Sequence, residues 1–166
     1  MILAGDVGGT KTLLALFDVR DNHLVEQKSK KYASNDYESF EIILKEFLND
    51  VSDKIESAAF GIPGPVIEGK AKPTNLNWSI DAKEIFSQFS ISKVRLLNDL
   101  AATAFAIPYL NKTEIIEIKK GCEKLLSERF AVIAPGTGLG EAFLICEDNK
   151  KIVLSSEGGH SDFAPT

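Results

Sequence analysis

Apolar residues fall into short runs separated by glycine-rich or polar breaks. Met1 to Ala4 and Leu13 to Phe17 flank Gly5-Asp6-Val7-Gly8-Gly9-Thr10-Lys11-Thr12, which predicts strand, tight glycine turn, strand. Leu24 to Tyr32, beyond the polar Arg20-Asp21-Asn22-His23 turn, predicts a third strand, so the chain opens as a meander. The period then changes. Phe40, Ile43, Leu44, Phe47, Leu48 and Val51 keep i, i+3, i+4, i+7 spacing and predict a helix. Asn35 is placed as its N-cap, with Glu38 closing a capping box. Ser57 to Gly61 predicts a buried strand. Gly61-Ile62-Pro63-Gly64-Pro65 predicts a rigid turn, because neither proline can donate to a ladder. Asp81-Ala82-Lys83-Glu84 is a second capping-box pattern, opening a helix through Phe89. Val94 to Leu97 predicts another buried strand, followed by Asn98-Asp99 and an alanine-rich helix over Leu100 to Ile107. The order is β-β-β-α-β-α-β-α. Strands joined through helices should be parallel.

The last third repeats the opening. Phe130 to Ala134 reads as a strand, Pro135-Gly136-Thr137-Gly138-Leu139-Gly140 as a Gly/Thr loop, Glu141 to Cys146 as a strand and Lys151 to Ser155 as a third. Two unrelated glycine loops in one sheet would leave the same trace. The shared element order instead predicts a duplicated α/β fold with a mixed sheet. Its domains would be a smaller one over 1–110 and the beginning of a second over 111–166. The second copy stops after its third strand. A lone meander leaves its faces largely uncovered, so the chain is expected to be the N-terminal part of a longer protein.

Composition narrows the function. The chain has 166 residues, 44% hydrophobic and 26% charged, with a formal net charge of −5. That balance favours neither nucleic acid nor an anionic membrane surface. No apolar run approaches the ~20 residues of a membrane span, and the N-terminus lacks the pattern of a signal peptide. Cys122 and Cys146 match no metal spacing. Both are expected to be free thiols, which points to a cytoplasmic setting.

The candidate chemistry lies in three places. In the first glycine loop, Gly8 and Gly9 leave room for backbone N–H groups to approach an anion, and Thr10, Lys11 and Thr12 add donors. Asp6 ends the first strand beside it. A carboxylate next to a phosphate cradle makes sense with Mg²⁺ between them. A plain hairpin with a polar turn would carry the same residues. Asn98-Asp99 follows a parallel strand, at the end where open α/β sheets bind ligands. A carboxylate there can take a proton from a hydroxyl attacking a phosphoryl group; it can equally be an ordinary helix cap. Glu157-Gly158-Gly159-His160 is a compact turn with two polar groups. Thr74-Asn75-Leu76-Asn77-Trp78 either walls a hydroxyl-rich pocket or caps the core.

In this order the motifs resemble the bacterial glucokinases of the hexokinase–actin superfamily. The matching stretches are Asp6 to Thr12, Gly61 to Pro65, Thr74 to Trp78, Leu97-Asn98-Asp99-Leu100-Ala101-Ala102, Pro135 to Gly140 and Glu157 to His160. The resemblance implies a ribonuclease H-like (actin-like ATPase) fold and ATP-dependent phosphorylation of the glucose 6-hydroxyl. It implies ATP and Mg²⁺ as cofactors, with Asp6 helping to hold the metal. Gly8, Gly9, Thr10, Lys11 and Thr12 match the first phosphate loop, and Gly136, Thr137, Gly138 and Gly140 the second. Asp99 matches the catalytic base. Asn98, Glu157 and His160 match sugar-binding residues, and Asn75 would lie near the sugar. Expected partners are glucose and ATP, with no nucleic acid and no membrane. Members are commonly dimeric, which makes a homodimer an open expectation. A further sugar-binding Glu and the adenosine segment come later than residue 166 in the family, so the 166-residue form is expected to be inactive or nearly so. Two alternatives share the superfamily. ROK kinases typically carry a Cys-rich zinc motif near the Glu-x-Gly-His segment, and none is present here. Sugar-sensing regulators usually add an N-terminal helix-turn-helix, whereas the first strand here begins at Met1 or Ile2.

Overall fold

The computed structural model describes residues 1–21, 23–73, 75–120, 129–136, 138–147 and 150–161. These form two compact units, Met1–Asp99 and Leu100–Thr166.

The first unit is built on a five-stranded mixed sheet. The meander β1 (Ile2–Val7), β2 (Lys11–Arg20) and β3 (His23–Ala33) is antiparallel; β4 (Ser57–Ile62) runs parallel to β1, and β8 (Lys93–Asn98) parallel to β4. The order across the sheet is β3-β2-β1-β4-β8. The register explains the core. Leu3, Gly5 and Val7 lie beside Leu16, Leu14 and Thr12 on one flank, and Leu3 and Gly5 beside Ala58 and Phe60 on the other. Strand alternation puts all of these on one face. Helix α1 (Phe40–Leu48) covers that face with Phe40, Ile43, Leu44 and Phe47, all fully buried. A Cβ at Gly5 would lie 2.7 Å from Phe60 Cδ1 and 2.8 Å from Leu14 Cδ2. Glycine there is the space into which two larger side chains pack.

The predicted cap of α1 is corrected. Ser34–Asp36 is a separate 3-10 turn, Ser39 occupies the N-cap position and its side chain makes no cap bond. The Ser34 N–H is instead drawn to the Thr10 carbonyl at 3.1 Å, so this segment closes the sheet edge before the helix begins. The second cap holds: α2 (Ala82–Phe89) starts after Asp81, whose carboxylate accepts the Lys83 N–H at 2.8 Å. Pattern reading missed a small antiparallel sheet of β5 (Val66–Ile67), β6 (Lys70–Ala71) and β7 (Ile80–Asp81). Two-residue strands are too short to show alternation. The β5–β6 turn is Glu68-Gly69 with φ of +50° and +76°, a type I′-like geometry usually signalled by Asn-Gly.

The second unit holds most of α3 (Asp99–Ala106) and an antiparallel meander of β9 (Arg129–Pro135), β10 (Leu139–Glu147) and β11 (Lys150–Ser156), in the order β11-β10-β9. Ala142 and Leu144 are buried with Ala104, and Leu100, Ile107, Val132 and Val153 pack around them. Both meanders place a glycine loop between their first two strands, as the repeat predicted. No helix among the described residues is long and apolar enough to cross a membrane.

Candidate functional site

The parallel strands end together. Asp6 pairs with Gly61 and Gly61 with Leu97, while Ile62 pairs with Asn98. Asp6, Gly61 and Leu97 therefore occupy the face opposite α1, at the carboxyl edge of β1, β4 and β8. Asp99 follows at once as the first residue of α3.

Asp6 feels the charges of Asp99 and Lys11. Crowding by surrounding protein, first, and the Asp99 carboxylate, second, push the Asp6 carboxyl above its ordinary range; Lys11 pulls it back. Asp6 is nonetheless exposed to solvent. Two carboxylates and a lysine thus converge at the strand ends, a charge arrangement that a hard cation relieves. Among the described residues no group of three metal-ligating side chains occurs. The donor set matches Mg²⁺, which is usually held by one or two carboxylates plus substrate phosphates.

The first glycine loop is closed by a Gly8 N–H to Lys11 carbonyl bond of 2.9 Å. A Cβ on Gly9 would lie 2.8 Å from Asn75 Cβ, so the Asn75 loop rests against the loop tip. Asn75 to Trp78 and Asn35 to Glu38 line an open cleft of about 470 Å³. Trp78 sits between that cleft and the core. It lines that cleft, and it is 4% exposed, packed 6.3 Å from Phe40 with its indole N–H donating to the Tyr37 carbonyl at 3.1 Å.

Thr12 and Asn98 each make a contact within the protein. Thr12 is fully buried and its hydroxyl lies 3.0 Å from Ser34 Oγ, so its side chain forms the wall behind the loop rather than its mouth. The Asn98 side-chain amide donates to the Gly64 carbonyl at 3.2 Å, bracing the proline turn where Gly64 adopts a φ of +98°. Ser34 was not singled out by sequence, because its burial depends on the strands and helix packed around it.

In the second unit, the Gly136 N–H donates to the Gly138 carbonyl at 2.9 Å. A Cβ at Gly140 would lie 2.6 Å from Leu100 Cδ2, so the loop seats directly on α3. Glu157 precedes the 3-10 turn Gly158–His160 and is exposed. A Cβ at Gly159 would run into the Leu139 carbonyl, which fixes this turn against the end of the second glycine loop. Thr137 and the His160 side chain lie outside the described residues. Each unit therefore assembles one glycine loop with polar candidates beside it: Asp6, Asn75, Asn98 and Asp99 in the first, Glu157 in the second.

Comparison with known proteins adds a second line. The sequence profile of the family described as Glucokinase matches residues 3–166. A glucokinase from Nostoc sp. is 38% identical over 170 residues, covering 99% of this chain and 49% of its own. One from Citrobacter koseri is 35% identical over 163 residues, covering 98% and 50%. The crystal structure of a glucokinase from an Antarctic psychrotroph superposes with a TM-score of 0.85 at 35% identity, covering 99% of this chain and 52% of that one. The chain spans about half the length of the curated relatives it matches.

Proposed function

The chain belongs to the glucokinase family, and from that premise we propose that the whole protein transfers the γ-phosphate of ATP to the 6-hydroxyl of glucose. The observation that carries this reading is the meeting of Asp6, Asp99 and the first glycine loop at the carboxyl edge of three parallel strands.

In this reading Asp99 is the base. Its carboxylate accepts the proton of the sugar 6-hydroxyl as that oxygen attacks the γ-phosphorus. A new O–P bond forms, the bond to the bridging oxygen breaks, and ADP leaves with the electron pair. Asp99 is the first residue of α3, directly after the end of β8, which sets it at the carboxyl edge of the sheet. Asp6 would hold Mg²⁺, which would neutralise phosphate charge when bound. Backbone N–H groups of Gly8 to Lys11 and the Lys11 ammonium orient the phosphate chain. Asn98, braced on the Gly64 carbonyl, and Asn75, packed on Gly9, orient the sugar from the first unit. For the second unit, the family resemblance offers Gly136, Thr137, Gly138 and Gly140 as a second phosphate cradle and Glu157 and His160 as ligands of ring hydroxyls. The chain spans about half the length of its curated relatives, so this proposal is made for the whole protein.

The test is a phosphorylation assay of the whole protein with ATP, Mg²⁺ and a hexose panel, with the phosphorylated carbon located by NMR. Glucose 6-phosphate as the main product supports the reading. A folded protein that binds glucose and phosphorylates no sugar contradicts it.

A further inference from the structure

A buried hydroxyl pair lies directly behind the first glycine loop. Ser34 and Thr12 are both fully buried. Ser34 Oγ donates to the Gly8 carbonyl at 2.7 Å. A hydroxyl has one proton, so in the 3.0 Å contact between the two side chains Thr12 is the donor and Ser34 the acceptor. The Ser34 backbone N–H takes the Thr10 carbonyl at 3.1 Å. One residue thus ties down two carbonyls of a single short loop.

This has a geometric outcome. In a trans peptide the C=O of one residue and the N–H of the next point in opposite directions across a rigid plane. No cis peptide occurs among the described residues. Drawing the Gly8 carbonyl inward to Ser34 Oγ therefore turns the Gly9 N–H outward, away from the core face. Drawing the Thr10 carbonyl to the Ser34 N–H turns the Lys11 N–H away from β3, to the loop side on which the Lys11 carbonyl accepts the Gly8 N–H. Without a fixed partner, two adjacent glycines leave this loop many backbone states.

We infer that Ser34 is a positioning residue that aims the Gly9 and Lys11 amides at a bound phosphate chain, with Thr12 holding the Ser34 hydroxyl in its orientation. The inference rests on reading the loop as a phosphate cradle and goes beyond it by naming the device that sets the amide directions. Burial excludes the water that would compete for these hydroxyls, so the latch is set before ligand arrives.

The test uses the ¹⁵N-labelled 166-residue chain, with tripolyphosphate and Mg²⁺ as the probe and amide shifts as the readout. In the wild-type chain the Gly9 and Lys11 amides are expected to move together on titration. In Ser34→Ala the Kd should rise about tenfold, equivalent to ~1.4 kcal/mol, with a smaller Gly9 shift and unchanged resonances elsewhere. Ser34→Thr, which keeps the hydroxyl, should restore the Gly9 response. If Ser34→Ala disturbs the whole spectrum, Ser34→Cys keeps the shape with a weak donor and carries the same comparison. A Kd for the hydroxyl-deficient variant within twofold of wild type would overturn the inference alone. No binding by the wild-type chain would overturn the phosphate-loop reading, and the inference with it.

Discussion

Asp6 sits where the fold works against its charge. Crowding and Asp99 both disfavour its charge, and Lys11 only partly compensates. A carboxyl whose folded pKa is raised contributes stability below its unfolded pKa and loses it as pH rises through the folded value. Asp6→Asn is therefore expected to raise the melting temperature at neutral pH, with the gain disappearing below the ordinary aspartate range. Carboxyl NMR titration checks the cause: Asp99→Asn should lower the Asp6 pKa, and Lys11→Met should raise it further. Asp81 behaves oppositely. The Lys70 ammonium, then the Lys83 N–H, hold its carboxyl below the usual range. Its contribution is present above the unfolded pKa and is lost as pH falls through the folded one. Denaturant melts of Asp81→Asn should accordingly show a flatter acid decline than wild type. At this scale the placement of Asp6 near a strand end and of Asp99 at a helix start was legible in the sequence, because charge and loop chemistry leave a residue signature. Ser34 and the inward turn of Thr12 were not, because burial of a hydroxyl depends on strand register and on what packs behind it.

Elements with a strong period were the ones read correctly. The meander, α2, β8 and the second meander follow their patterns to within a few residues. The misplaced cap of α1 and the missed three-stranded sheet both come from short segments whose backbone bonds are set by distant partners. Gly5 makes this point on β1. It breaks an apolar strand pattern, and its reason lies on β2 and β4, where Leu14 and Phe60 fill the space. Gly5→Ala is expected to destabilise the first unit by about 1–3 kcal/mol through overpacking, measurable by urea melts. Ser90 ends α2 in a left-handed conformation, φ +55°. There Ser90→Gly should stabilise by about 0.5–1 kcal/mol, since glycine avoids the Cβ penalty at a helix end. A destabilised Ser90→Gly would contradict that backbone assignment.

At the level of the whole molecule, the second meander carries an unequal pair of faces. Register places Ile133, Phe143, Ile152 and Leu154 together on the side away from Ala142 and Leu144, and all four are substantially exposed. Such an apolar face seeks cover. The 166-residue chain is expected to bind a hydrophobic dye and to self-associate with rising concentration; Phe143→Ser with Leu154→Ser should reduce both, by dye fluorescence and light scattering. The duplicated design was legible because two glycine loops sit in matching places between strands. The central claim is that Asp99 is the base of a glucose phosphotransfer site. The most direct measurement is kcat and glucose Kd for Asp99→Asn in the whole protein. The account predicts kcat lower by about 10²–10⁴-fold with glucose binding largely retained. Turnover close to wild type in that variant would contradict it.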